Sequence, residues 1–357
     1  MNIVPLALAA AVCVSAWSPS ESVDPALLAR ARESASYIGE MQAQPPAEEP
    51  EENGAFTINL SIAGDCLLAT YKGQRYQGSF SDYAATRESG YFLEKVQDIF
   101  ASDDFTIVNL ENVLTDRSLK EAEKSSTPAY WFKAPTANTK ILAGSGVEAV
   151  SLANNHTGDY GAAGSRDTVE AVRAAGLEYG DNGRTFYLEK NGFRIAVICH
   201  GLWNEAQAGA IAKRIQAAEA ESDFQIVFYH GGTEGVHTPE DWRVRASRVL
   251  VDAGADLVLG NHPHVLQPRE TYKGVEIVYS LGNFCFGGSR QPKNRTVIYQ
   301  SILRIEDGEL AEVSSELIPC YVHTGASVNN YRPAVIEDEE QRQRVLDFMD
   351  GRSKLPY

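Results

Sequence analysis

From residue 56 onward, short runs of apolar residues alternate with stretches whose apolar positions recur at helical spacing. The runs at 56–63, 105–110, 147–152, 224–229 and 275–279 read as strands, and those at 90–100, 166–175, 205–221 and 239–253 as helices. Gly176 is placed as a C-cap and Thr238 is the candidate N-cap of the last of these helices. Asn191-Gly192, between strand-like 185–188 and 193–198, predicts a hairpin, because this pair accepts the positive φ angles of a tight turn. Residues 296–305 are expected to pair with 310–318 across Glu306-Asp307-Gly308-Glu309, and 336–349 reads as a short helix of structural role. Strands alternating with helices predict an α/β chain, specifically a layered α-β-β-α sandwich.

The first part of the chain follows different rules. Residues 3–14 are apolar but shorter than the roughly 20 needed to cross a bilayer. Followed by Val14-Ser15-Ala16, they resemble a signal-peptide core, although no Lys or Arg precedes them. Residues 23–41 have helix-compatible spacing after Asp24-Pro25, and 44–54 form a Pro/Glu tract too polar to bury itself. The expected organisation is a signal or anchor segment at 1–16, a helix and linker at 17–54, one domain at 55–322 and an extension with a short helix at 323–357. Export to the cell surface or beyond, with the N-terminus cleaved or retained as an anchor, is the expected location.

Composition narrows the function classes. With 43% hydrophobic and 22% charged residues in a chain of 357, neither general disorder nor a polytopic membrane protein is indicated. A formal charge of -16 argues against nucleic acid as partner, since phosphate neutralisation needs clustered Lys and Arg. Eight acids and two arginines fall between 21 and 53, so six of those charges lie outside the expected domain. Cys13, Cys66, Cys199, Cys285 and Cys320 show no C-x-x-C spacing, and free buried thiols are expected.

The chemistry gathers at strand ends, where open α/β sheets collect their ligands. The ends supply Gly64-Asp65, Asn109-Leu110-Glu111-Asn112, Asn154-Asn155-His156, His230-Gly231-Gly232, and Gly260-Asn261-His262-Pro263-His264. In an extended backbone His262 and His264 would project to one side about 6–7 Å apart. Carboxylates, carboxamides and imidazoles together form a donor set for Zn, Mn or Fe.

These blocks resemble the CapA family of capsule synthesis, associated with poly-gamma-glutamate, whose domain has the calcineurin-like metallophosphoesterase fold. The blocks are Ala63-Gly64-Asp65, Asn109-Leu110-Glu111, Ser151-Leu152-Ala153-Asn154-Asn155-His156, His230-Gly231-Gly232-Thr233-Glu234, Gly260 through Gln267, and Tyr279-Ser280-Leu281-Gly282-Asn283-Phe284, in family order. The resemblance implies one or two divalent ions held by Asp65, Glu111, Asn155, His230, His262 and His264, with Glu111 bridging. It implies His156 as general acid or transition-state donor, and a role in capsule or cell-envelope polymer synthesis by hydrolysis of a phosphoester. A non-catalytic polymer-binding or export component is the alternative, as is cleavage of an amide in the polymer.

Lys133 is the candidate for holding an anionic polymer or phosphoester substrate, a solvated surface lysine being the other possibility, and Glu234 and Asn283 are expected to orient ligands. Membrane-bound capsule synthesis proteins are the expected partners. Two departures stand out: Asp65-Cys66-Leu67 replaces the Asp-x-His of the broad phosphoesterase pattern, removing one histidine ligand, and Gly231 stands where the family commonly has tryptophan, which predicts a more open pocket wall. His200, His237 and His323 are expected to be structural or incidental. Asn155-His156-Thr157 also fits a glycosylation sequon, which a buried metal ligand could not serve.

Overall fold

The structure, a computed structural model, describes residues 54–125, 128–325 and 327–357. The apolar start, the helix expected at 23–41, most of the Pro/Glu tract and Cys13 lie outside the described residues.

Two sheets form the frame. The first contains β1 (Phe56–Leu67), β3 (Phe105–Leu110), β6 (Ala149–Ser151), β7 (Glu178–Gly180), β14 (Asn283–Phe286), β15 (Thr296–Glu306), β16 (Glu309–Tyr321) and β17 (Ala334–Val335). Their order is β17-β16-β15-β1-β3-β6-β7, with β14 beside the end of β1. The second contains β8 (Thr185–Lys190), β9 (Phe193–Gly201), β10 (Phe224–His230), β11 (Leu257–Asn261), β12 (Leu266–Tyr272) and β13 (Val275–Leu281), ordered β12-β13-β11-β10-β9-β8. A small third sheet joins β2 (Thr70–Tyr71), β5 (Phe132–Ala134) and β4 (Val113–Leu114).

Period-two alternation explains the layers. Ile58, Leu60 and Ile62 of β1 meet Ile195 and Val197 of β9 and Ile226 and Phe228 of β10 between the two sheets. The opposite faces are buried too. Val108 and Val150 lie under Phe100, Ile141 and Val172 from helices on the first sheet. Ile198, Val227 and Val258 lie under Ile211, Ile215 and Leu250 from helices Ala208–Glu219 and Asp241–Asp252 on the second. Strands buried on both sides must be apolar throughout, which is why they stand out as unbroken runs. The expected α-β-β-α sandwich is therefore the architecture.

Local signals hold in part. Asn191 and Gly192 adopt φ 51° and 84° in the β8–β9 hairpin. Thr238 is not the cap of its helix, which starts at Asp241 after an extended Glu240. The boundary expected at 322 is absent. β17 pairs with the end of β16, and helix Glu339–Met349, capped by Asp338, drives Val345, Phe348 and Met349 into the inter-sheet core. Apolar burial thus makes the extension part of the domain. Cys66, Cys199, Cys285 and Cys320 are free and buried.

Candidate metal centre

Within each sheet the central strands run parallel: β1 with β3 and β6 in the first, β9 with β10, β11 and β13 in the second. Their carboxyl ends open at one end of the sandwich. Asp65 lies near the end of β1, Glu111 directly follows β3, and Asn154-Asn155-His156 follow β6. Across the seam, His230 ends β10, and His262 and His264 follow β11. The backbone at the histidine pair is not extended as expected: His262 and His264 have φ 99° and 57°, in a region that side chains other than glycine occupy only under constraint. The tight turn still brings the two imidazole centroids to 5.6 Å.

The donors converge as two groups that share Glu111. Asp65, Glu111 and His264 form one, with His264 Nδ1 3.2 Å from Asp65 Oδ2 and Nε2 3.7 Å from Glu111 Oε1. Glu111, His230 and His262 form the other. There His230 Nε2 lies 2.9 Å from Asn155 Oδ1, 3.1 Å from His262 Nδ1 and 3.4 Å from Glu111 Oε1. Asp65 and Glu111 are fully buried, and His230 and His262 nearly so.

Glu111 carries the test of whether these residues suit a cation. Neither of its buried carboxylate oxygens receives a hydrogen bond from the described residues. Burial alone would raise its pKa, but the imidazoles of His264 and His230 outweigh that and hold it below the usual carboxylate range. Burial opposes charge on His264 in turn, and Glu111 and Asp65 more than compensate, raising it well above an ordinary histidine. Burial, reinforced by His230 and His264, pushes His262 down to about 2. A buried carboxylate without a donor, ringed by nitrogens, fits a divalent ion.

His156 stands at the edge of this cluster, Nε2 4.0 Å from Glu111 Oε1. Its Nδ1 meets Asp159 Oδ2 at 2.8 Å, which with Nδ1 protonated turns Nε2 toward the donors. Asp159 is fully buried, accepts the Phe132 amide at 2.6 Å and pairs with the Lys124 ammonium.

Of the candidates for substrate and orientation, Asn283 meets the ring of His264, Oδ1 to Nδ1 at 2.9 Å. Glu234 lies at the edge of the cluster, its carboxylate grouped with His262 and His264 and 4.0 Å from His262 Nε2. Lys133, on the short β5 strand, sets its ammonium over the Tyr160 ring, 4.8 Å from the centroid, and Lys124 is the lysine beside His156.

Asn109, from the Asn109-Leu110-Glu111 block, joins three contributors that carry no motif signal of their own, Asp159, Lys124 and Trp203. Asn109 donates to Asp65 Oδ1 at 2.8 Å and lies 3.2 Å from His230 Nδ1. Asp159 and Lys124 depend on a contact between separate segments. Trp203, after β9, sets its ring 5.0 Å from His262 and 5.7 Å from His230. It corrects the expectation of an open wall: a Cβ on Gly231 would sit 1.8 Å from the Leu202 carbonyl, so the indole reaches the cluster from the neighbouring strand instead. His200 bonds the Gly201 carbonyl and His237 the Leu266 carbonyl, consistent with structural roles.

Comparison with known proteins agrees with this arrangement. A family model described as bacterial capsule synthesis protein PGA_cap matches residues 59–288 and so spans every donor. The capsule biosynthesis protein CapA of Bacillus anthracis is 28% identical over 344 residues, covering 89% of this chain and 79% of that protein. The PGA biosynthesis protein CapA of Bacillus subtilis (strain 168) is 27% identical over 314 residues, covering 80% and 78%. Among solved structures, a hypothetical protein from Thermus thermophilus aligns at TM-score 0.44 and 16% identity, over 73% of this chain and 99% of that one, too loosely to carry a functional argument. With the family match running from β1 through β14 and enclosing the whole donor cluster, the chain belongs to the bacterial capsule synthesis protein PGA_cap family.

Proposed function

We propose that this protein is a metal-dependent hydrolase of the phosphoesterase type, exported and acting in the synthesis of poly-gamma-glutamate capsule or a related cell-envelope polymer. The observation that carries the proposal is the buried Glu111 carboxylate, free of hydrogen bonds from the described residues and shared by two donor groups. Asp65, Glu111 and His264 would hold one cation, and Glu111, Asn155, His230 and His262 the second. A divalent pair of Mn, Zn or Fe supplies Lewis acidity toward a phosphoryl oxygen and acidifies water.

The chain's own residues do the rest. Asn155 contributes an oxygen without adding negative charge. Asn109 and Asn283 hold Asp65 and His264 in their orientations. His156, steadied by Asp159, presents Nε2 to the departing oxygen of the phosphoester and gives it a proton. Trp203 and Phe286, the latter 4.9 Å from His264, limit water on their sides.

The expected substrate is a phosphoester or an anionic polymer, and membrane-bound capsule synthesis proteins are the expected partners. Capsule polymer is supported by the similarity to the capsule and PGA biosynthesis proteins of the two Bacillus species, and export by the apolar stretch at 3–14. Hydrolysis is tested with purified protein, Mn²⁺ or Zn²⁺, and phosphomonoester and phosphodiester substrates. Turnover lost in His262→Ala and His156→Ala supports the proposal, and no turnover by wild type overturns it. Recovery of the full-length chain in the cytoplasmic fraction overturns export.

One observation favours a non-catalytic polymer-binding component: Leu67 stands where the broad phosphoesterase pattern has a histidine ligand. Polymer binding that persists in chelator, without hydrolysis, would select it.

A further inference from the structure

The donor count is uneven. The group around His230 and His262 has four protein donors with Asn155 and Glu111, whereas the group around His264 has three, Asp65, Glu111 and His264 itself. Leu67 cannot help. β1 is irregular between Asp65 and Leu67, and the leucine is buried in the outer core of the first sheet, among the residues packed with Leu68 and Phe80.

We propose that Glu234 is itself a metal ligand, supplying on the His264 side the donor that Leu67 lacks. This rests on the metal reading of the site and extends it to a residue of the loop after β10. The loop carrying Glu234 is laid across the histidine turn by two backbone bonds, Gly231 N to the Asn261 carbonyl at 3.0 Å and Gly235 N to the Pro263 carbonyl at 2.8 Å. Gly232, at φ 114°, makes the bend that lets the loop cross. A carboxylate oxygen of Glu234 and a ring nitrogen of each of His262 and His264 all lie within 4.8 Å of one another.

The nearest approach, 4.0 Å to His262 Nε2, is too long for an orienting hydrogen bond. The Glu234 side chain is 63% exposed and pairs with no Lys or Arg among the described residues, so small rotations can carry it onto a cation. The site as a whole thus offers an imidazole and three carboxylates on the His264 side, an oxygen-rich set suited to a hard divalent ion.

The test is zinc loading of the chelator-stripped full chain, followed by isothermal titration and a crystal structure of the loaded protein. We expect two equivalents for wild type, a Glu234 oxygen within about 2.0–2.2 Å of the ion beside His264, and loss of one equivalent in Glu234→Gln. Glu205→Gln, an exposed acid bound to Arg245 elsewhere on the surface, should keep both. If wild type and Glu234→Gln both bind two equivalents with equal affinity, or if Glu234 stays out of the coordination sphere, this inference falls while the metal reading stands. If wild type binds no zinc, both fall.

Discussion

At Glu111 a charge is buried where no hydrogen bond from the described residues compensates it, an arrangement that costs several kcal/mol unless a cation is near. Replacing it by glutamine should therefore change two properties. Glu111→Gln should melt below wild type even in the presence of chelator, because His264 and His230 favour the ionised carboxylate, and should gain nothing further from added Mn²⁺, because both donor groups lose their shared carboxylate; paired thermal melts check this. At His156 the decisive partner is Asp159. Asp159→Asn should lower kcat about 10²-fold, the contribution of one well-placed proton donor, with KM little changed; steady-state kinetics on a phosphodiester read the split. The cluster itself was legible from sequence because Asp65, Glu111, Asn155, His230, His262 and His264 each follow or end an apolar run. Asp159, Lys124 and Trp203 were not, since their roles exist only where the small sheet and the β9 loop approach the site.

Elements were legible where burial is two-sided. The parallel strands had to be apolar on both faces, so their runs were unambiguous, and the Asn191-Gly192 hairpin was fixed by turn chemistry. What the pattern did not convey was docking of the last helix, because an amphipathic segment does not name the surface it covers. Its apolar side belongs to the inter-sheet core. Phe228, fully buried there on β10, should cost about 3–5 kcal/mol when truncated to alanine, seen as a fall in the urea midpoint. At the end of the same strand the constraint is space rather than apolar area. Gly231→Ala must push back the Leu202 carbonyl, and a loss of about 1–3 kcal/mol is expected in the same experiment, with weaker metal binding because Trp203 and His230 move together.

Over the whole molecule, buried acids far from the metal donors add their own response to pH. At the opposite ends of β3 and β6, burial raises Glu148 to about 7, the Asp103 charge adding to it although the Thr106 amide opposes, and burial raises Asp103 to about 6. The folded chain therefore holds protons that the unfolded chain releases near pH 4, so stability falls as pH rises from about 4 to 7 and the full penalty remains above that. Glu148→Gln, which can still accept the Thr106 amide, should be neutral at pH 4 and stabilising at pH 8 in melting curves. Among the described residues no strand ladder joins the two sheets, which are held by side-chain packing and by single hydrogen bonds such as Tyr299 to Glu276, and the donors are split evenly, Asp65, Glu111 and Asn155 on one side and His230, His262 and His264 on the other. A bound cation consequently rivets the sandwich shut at its open end. At a hundredfold excess over Kd it would add about 2.7 kcal/mol, and hydrogen exchange should slow in β3 and β10 together while the surface helices keep their own rates.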